Sequence, residues 1–477
     1  MAVAYALVEM GSRSAAALAL LPVIAVGAVY LVTSGQFVLY GAAVAASMTL
    51  LPALGSPVFK FLYFQDLVAG LALGALIFAR FLGRGQVPPS PRTPVLGLPL
   101  VLFGAAIVAA TVRGHYEYEV GLFGQPLRLV FYAAIVAGLA GMTAPRMHRL
   151  LQILFYPGAV YIALVAVYFL ATGGSASDQD DLSTGGTRVL NITTSLYCAG
   201  ALFLALLNLR SGLGSRSRFL HLAVAAVALF GVVVGFGRAV YAAVAVVGLL
   251  LLFSSSRLRG SILTVVPLAL PFLVLLAIGV NQAAPELRAT VADRLFSSPE
   301  TDTNVQWRVE ANRAVLEQVR EQPLVGVGFG RESEFFLERE SPSSGLPVFH
   351  RVEIGQDPHN GFMFLLAGGG VVTLGAFLLL LGTFAADALK RYRSNADPHS
   401  RLIILWACAF LFAFLVNAAS GTTFSVPEHI LTIWALLVLP SIVRPAHEDV
   451  RELPRAGAST EDAVSEAEFR DVMRPAW

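Results

Sequence analysis

The chain has 477 residues, of which 56% are hydrophobic and 13% are charged, and its formal net charge is +2. A soluble protein carries about 25% charged residues, so this composition excludes a water-soluble globular chain. The small net charge, without a basic stripe interleaved with aromatic residues, also excludes a nucleic-acid-binding protein. Cys198 and Cys408 both lie inside apolar runs and form neither a CxxC motif nor a disulfide framework.

Apolar runs long enough to cross a hydrocarbon core of ~30 Å recur along the chain. Each run must satisfy its own backbone hydrogen bonds in lipid, so each is predicted to be a helix. The fold class predicted is therefore all-α, a polytopic transmembrane bundle of about twelve spans, with the first segment short or re-entrant. The runs lie near residues 15–33, 37–54, 61–80, 95–112, 124–142, 149–171, 193–209, 218–236, 239–254, 261–280, 360–383, 401–418 and 428–443.

Basic and acidic loops alternate between these runs and indicate the orientation. The positive-inside rule places the arginine-rich loops in the cytoplasm. The loop at 173–186, with three aspartates and no basic residue until Arg188, then lies outside. The basic loops are those at 80–92, 145–149, 210–218, 256–259 and 390–393.

This orientation divides the chain into four predicted parts. A transmembrane bundle covers residues 1–280, an outer loop covers 281–358, and C-terminal transmembrane helices cover 359–444. The tail at 445–477 mixes both charge signs with Pro and Ala, which predicts a cytoplasmic, disordered appendage.

The outer loop is predicted to contain one amphipathic helix, at residues 304–323. Its apolar residues recur at helical spacing and Pro323 ends it. A Gly-rich turn, LVGVGFG, follows at 324–330. The apolar stripe comprises Trp307, Ala311, Ala314, Val315 and Val319.

Two arginines on the outer side are candidate site residues. Arg238 lies between two apolar runs, with Tyr241 close by, and opposes the positive-inside bias. Snorkelling to lipid head groups is the alternative interpretation. Arg308 begins the amphipathic helix beside Trp307, where a solvated surface arginine is the alternative.

His359 lies in DPHNGF, where the outer loop meets a transmembrane run. A histidine at a membrane boundary is a candidate general base, because its unperturbed pKa is ~6.5. Asp357 and Asn360 equally suit a helix start, so capping is the competing interpretation of this motif.

Further outer-side candidates are Asp66, Arg128 and Arg188, each near a predicted helix end. Several arginines that converge on one pocket would bind a diphosphate, because guanidinium groups match phosphate oxygens and keep their charge. No acidic cluster occurs in the first outer loop, so neither a metal ion nor another cofactor is expected.

Three features occur in order: Arg238 at an outward turn, Arg308 followed by PLVGVGFG (323–330), and PHNGFMFLLAGGG (358–370). Together they resemble the O-antigen ligase and polymerase-like family of bacterial membrane glycosyltransferases. The resemblance implies an all-helical membrane fold with a helical periplasmic loop, in the bacterial inner membrane, with the active site facing the periplasm.

The resemblance also implies a reaction. The donor would be a glycan on undecaprenyl diphosphate, and the acceptor a growing glycan or lipid A-core. The enzyme would be metal-independent and inverting, within a membrane-lipid environment. His359 would be the catalytic base and Arg238 and Arg308 would bind the diphosphate, with Arg128 and Arg188 as weaker candidates. The supporting residues would be Asp357, Asn360, Tyr241 and Asp66.

Alternatives remain open at this stage. Ligase, polysaccharide polymerase and protein O-oligosaccharyltransferase share these motifs, although the lack of a separate periplasmic domain disfavours the last. A transporter or flippase of a lipid-linked saccharide would also have many helices, but it commonly shows two related halves and charges at mid-membrane. A metal-dependent transferase is disfavoured by the missing acidic cluster.

Overall fold

The computed structural model describes most of the chain between residues 97 and 444. The predicted runs at 15–33 and 37–54 and the tail at 445–477 lie outside the described residues, as do most of 61–80, 124–142 and 261–280. The described residues are 57–59, 62–63, 97–119, 126–130, 132, 142–172, 190, 192–212, 218–235, 237–254, 259–260, 267, 271, 274, 303–340, 347–354 and 358–444.

The described part of the chain is mostly helical. Its helices are α1 (Leu98–Tyr118), α2 (Ala144–Thr172), α3 (Ile192–Ser211), α4 (Arg218–Val234), α5 (Arg238–Ser254), α6 (Thr303–Glu321), α7 (Gly361–Ser394), α8 (Pro398–Ala418) and α9 (Pro427–Ile442). All except α6 overlap an apolar run predicted from the sequence. Among the described residues, α1, α2, α3, α7 and α8 are long and apolar enough to cross a membrane. A helical membrane protein is thus confirmed, whereas the total of about twelve spans stays a prediction.

Helix α3 is the centre of the bundle. It is buried from Thr193 to Leu209 and packs against α2, α4, α5 and α8. Gly200 lets α8 approach closely, so that Trp406 Nε1 donates a 2.8 Å hydrogen bond to the Gly200 carbonyl. Small residues at helix contacts provide this close packing where lipid supplies no hydrophobic drive between helices.

One end of the bundle gathers basic residues around a buried polar chain. His399 Nδ1 lies 3.0 Å from His148 Nδ1, and His148 Nε2 lies 2.7 Å from Asn208 Oδ1. The Asn208 amide donates to Tyr156 Oη, which lies 2.8 Å from His221 Nδ1. We call this the basic end. The arginines that are close in sequence to members of this polar chain are Arg146, Arg149, Arg210, Arg218, Arg391, Arg393 and Arg401.

The opposite end, where α3, α5, α7 and α9 begin, is called the loop end. Beside α6 it carries an antiparallel hairpin of β4 (Ser333–Glu340) and β5 (Pro347–Ile354), in which Phe335 pairs with Val352. The expectation of a helical loop was incomplete, because the adjacent apolar residues Phe335 and Phe336 hide the period-2 alternation that would indicate a strand. The other strands are two-stranded pairs, β1 (Pro57–Phe59) with β2 (Leu62–Tyr63) and β3 (Met142–Thr143) with β6 (Val443–Arg444).

Helix α7 is broken at Gly370, which has φ 66° and ψ −165°. In a straight helix, Phe362 and Phe377 would be ~22 Å apart along the axis. Their ring centroids are only 6.4 Å apart, and both rings pack against Phe424. The segment before Gly370 therefore folds back toward the segment after it.

The Gly-rich loop at 323–330 supplies the hydrogen bonds that the break removes. Val327 N donates to the Ala367 carbonyl (2.8 Å) and Gly328 N to the Gly368 carbonyl (3.0 Å). On the other side of the break, the amides of residues 371 and 372 donate to the carbonyls of residues 323 and 324, at 2.9 and 3.1 Å. Both edges of the broken helix are thus satisfied by one loop, which removes a cost of several kcal/mol per unpaired group in lipid.

Helix α1 holds this loop from the other side. Phe329 N donates to the Ala110 carbonyl at 3.2 Å, and an Arg113 Nη donates to the Gly326 carbonyl at 2.6 Å. Arg113 Nε also contacts Glu117 at 2.8 Å. The backbones approach so closely that a Cβ on Gly114 would lie 1.7 Å from the Phe329 carbonyl oxygen.

We therefore expect Gly114→Ala to displace the loop and destabilise the protein by about 1–3 kcal/mol or more, as overpacking does. The matched control is Gly375→Ala in α7, where an added Cβ meets nothing within 4 Å. This control should be neutral or slightly stabilising, because alanine has the higher helix propensity. Thermal unfolding of both variants in detergent checks the difference, and equal melting temperatures would contradict the close approach of α1 to the loop.

Candidate functional site

Helix α6 lies along the first segment of α7. Its buried face packs against Phe335 and Ile354 of the hairpin and against residues 363, 366 and 367 of α7. The predicted amphipathic helix at 304–323 is thus confirmed as Thr303–Glu321, ending before Pro323. The residues of the predicted stripe on this face are Trp307, Ala311, Ala314, Val315 and Val319.

Asn360 is the N-cap of α7. Its side-chain oxygen accepts hydrogen bonds from Phe362 N at 3.1 Å and Met363 N at 3.3 Å. The capping interpretation of the PHN motif is therefore confirmed for Asn360. His359, the preceding residue, has a positive φ of 54° and is half-buried. A left-handed conformation at a residue other than glycine costs about 1–2 kcal/mol and is held in place by its surroundings.

The ring of Trp307 contacts His359 and is one of the groups that hold it in this conformation. The Trp307 and His359 ring centroids are 4.9 Å apart at an interplanar angle of 77°, an edge contact. Phe335 makes a second edge contact with Trp307, at 5.9 Å and 72°. Arg308 follows Trp307 in α6, is half-buried, and has its Nε shielded from solvent. The structure thus brings His359 to the turn of α6 that carries Arg308.

Arg238 is the first residue of α5 and is exposed at the loop end. The tight turn before it packs on the start of α3, where Gly235 meets Ser195 and Gly237 meets Ile192. Tyr241 closes this turn, because its hydroxyl donates to the Val233 carbonyl and its amide donates to the Gly237 carbonyl. Tyr241 therefore fixes the direction in which α5 leaves α4.

Short contacts connect the start of α3 to the start of α7. Thr193 Oγ1 lies 3.0 Å from His429 Nε2 of α9, and Asn417 donates to Thr423 Oγ1 at 2.9 Å. Phe424, the next residue, packs against the first turn of α7 at Gly361. The elements that carry Arg238, Arg308 and His359 thus lie at the same end of the bundle, where the ring contact joins α6 to His359, whereas Arg238 is related to the other two residues by its place at that end.

Of the remaining predicted site residues, the structure describes Arg128. Arg128 is buried in a helical turn at 126–130, whose Val130 packs against Gly104 of α1. Asp66, Arg188 and Asp357 lie outside the described residues. Among the residues that the structure describes, no three His, Cys, Asp or Glu side chains are arranged to hold a metal ion.

An ion pair closes the Gly-rich loop. Arg331 donates hydrogen bonds of 2.6 and 3.1 Å to the Glu321 carboxylate at the end of α6. These hydrogen bonds hold the pKa of the Glu321 carboxyl below its usual range. Because Glu321 is exposed, the pair contributes little stability.

Sequence reasoning missed two contributors to this region. Arg113 donates a hydrogen bond to the Gly-rich loop. Its sequence position was a usable signal, since it lies at the end of an apolar run, as Arg238 does. His429, buried against Thr193 and Phe414, was not singled out, although it stands at the start of an apolar run, as His359 does.

Residues 201–380 match the O-antigen ligase family. This stretch contains Arg238, Arg308, His359 and the Gly-rich loop, so the resemblance drawn from the ordered motifs is confirmed. Among curated proteins, none matches the chain. The match supports an O-antigen ligase or polymerase type of function and a membrane glycosyltransferase-like protein.

We expect Asn360→Ala to lower the free energy of unfolding by about 1 kcal/mol, because two amides at the start of α7 lose their acceptor. Asn360→Asp and Asn360→Ser are the matched controls, since both side chains can still cap. Melting temperatures in detergent check this. If all three variants melt alike, Asn360 does not act through capping.

Proposed function

We propose that this protein transfers a glycan from undecaprenyl diphosphate to an acceptor hydroxyl at the periplasmic face of a bacterial inner membrane. The acceptor oxygen attacks the anomeric carbon of the donor, and the bond between that carbon and the diphosphate oxygen breaks. The hydroxyl proton passes to His359, and undecaprenyl diphosphate leaves with the bonding electrons. Attack opposite to the leaving group inverts the anomeric configuration.

The observation that carries this proposal is the edge contact between Trp307 and His359, because it joins two motifs 52 positions apart in the family-matched stretch. The base acts on the acceptor hydroxyl and the cation on the donor diphosphate, so both must lie beside the same anomeric carbon. The contact supports this arrangement because it joins α6, which carries Arg308, to the residue that precedes the N-cap of α7. Arg308 is half-buried, where its charge interacts more strongly with an anion than it would in water.

The arginines are assigned to the diphosphate because negative charge develops there as the bond breaks. Fixed cations stabilise that charge without a metal ion. Arg308 and Arg238 are the principal ligands in the proposal, with Arg128 and Arg188 as additional candidates and Asp66 and Asp357 in supporting roles. Arg308 approaches from α6 and Arg238 from α5, so the donor diphosphate would lie between the two helices.

The orientation is part of the proposal and rests on charge. The arginines around the His148 and His399 pair lie at the basic end, which the positive-inside rule places in the cytoplasm. The loop end, with α6 and the β4–β5 hairpin, then faces the periplasm. The glycan or lipid A-core acceptor would approach from that side, and the sequence favours neither over the other.

We expect His359→Ala to abolish transfer by purified protein supplied with lipid-linked oligosaccharide and acceptor. Arg308→Ala and Arg238→Ala should each lower kcat/KM by ~10–1000-fold, the range for a lost charge-assisted contact to the transition state. Arg313→Ala is the matched control, because Arg313 also lies in α6 but is exposed and pairs with Glu317 at 3.7 Å. It should keep the activity of the unmodified protein.

Transfer that survives the substitutions at 238, 308 and 359 would remove the proposed site. Inhibition by EDTA, reversed by a divalent cation, would remove the metal-independent mechanism. A transporter or flippase would move the labelled donor across a vesicle membrane without releasing undecaprenyl diphosphate, so assay of both products separates that function from glycosyl transfer.

A further inference from the structure

His359 is not restrained by the helix that follows it. It precedes the N-cap Asn360, and its φ of 54° takes its backbone out of the helical path. Residues within a helix have their side-chain directions limited by the preceding turn, but a residue before the N-cap has no such turn. The orientation of its imidazole therefore depends on tertiary contacts.

Trp307 is well placed to supply that orientation. Its side chain has only two rotatable bonds and is 9% exposed, so it loses little entropy when it is held. Phe335 contacts it from the hairpin, and the rest of its helix face is buried against α7. An edge contact between aromatic rings has a preferred geometry, so a fixed indole fixes the plane of the imidazole next to it.

We propose that Trp307 is a positioning residue that orients the His359 imidazole toward the acceptor hydroxyl, through the edge contact between their rings. This inference rests on the proposed function for the part played by His359 in the reaction. The orientation of the ring, however, is a property of the protein without substrate, and it can be measured without turnover.

The experiment compares Trp307→Phe, Trp307→Leu and Trp406→Leu in purified full-length protein. Trp307→Phe keeps an aromatic ring, and Trp307→Leu keeps apolar volume without one. Trp406→Leu is the matched control, because Trp406 is also buried, at 2% exposure, and contacts an aromatic ring, Phe155, but lies within the bundle on α8. Activities are expressed per folded molecule, with the folded fraction taken from thermal unfolding.

Trp307→Leu should lower kcat by ~100-fold, the effect of a misplaced reacting group, while the KM for the lipid-linked donor changes by less than ~3-fold. Trp307→Phe should restore most of kcat, and Trp406→Leu should leave it unchanged. A kcat for Trp307→Leu equal to that of the unmodified protein, or an equal loss in Trp406→Leu, would overturn the proposal.

A second measurement is independent of transfer. Diethyl pyrocarbonate acylates accessible imidazoles, and the rate at His359 is followed by peptide mass spectrometry. We expect this rate to rise several-fold in Trp307→Leu and to stay constant in Trp406→Leu. If the unmodified protein shows no transfer, the proposed function fails while this rate still tests the orientation. If transfer needs His359 but neither kcat nor the acylation rate responds to Trp307→Leu, only the positioning proposal fails.

Discussion

A helix that breaks inside a membrane protein leaves amides and carbonyls that must find new partners, since lipid offers none. In this chain the break is at Gly370, and the partners come from residues 323–330, which lie some forty positions earlier in the sequence. Positive φ at Gly326, Gly328 and Gly330 lets the loop present its amides and carbonyls in this way. The PLVGVGFG motif is thus explained first by backbone hydrogen bonding.

The repair of the break determines where α6 lies. The loop follows α6 without a linker, so anchoring it at residues 367–372 places α6 against the first segment of α7. Trp307, near the start of α6, then reaches His359, just before the start of α7. The motif at Trp307 and the motif at His359 thus become neighbours, although nothing in the local sequence links them. They do so because the loop after the end of α6 is hydrogen-bonded to α7 at its break. Helix α1 contributes through Arg113 and Ala110, which hold the loop from the other side.

Local periodicity predicted the elements whose structure is decided locally. The apolar runs correspond to helices, and the stripe from Trp307 to Val319 corresponds to the buried face of α6. The break at Gly370 was not predicted, because consecutive glycines in an apolar run equally suit close helix packing. The hairpin was not predicted because the adjacent apolar residues Phe335 and Phe336 interrupt the alternation expected of a strand. The Trp307–His359 contact was not predicted because it joins residues that are distant in the sequence. That Arg308 and His359 lie near each other was expected only from the resemblance to the O-antigen ligase family.

Four arginines at the loop end have two kinds of surroundings. Arg113 binds the Gly326 carbonyl and Glu117, and Arg331 binds Glu321, so both stabilise the Gly-rich loop. Arg238 and Arg308 lie on helices that start at the same end of the bundle and fall within the family-matched stretch. Arg308 is partly buried and Arg238 is exposed. The proposed function gives both guanidinium groups one anionic ligand, the donor diphosphate, whose oxygens they match in geometry and charge.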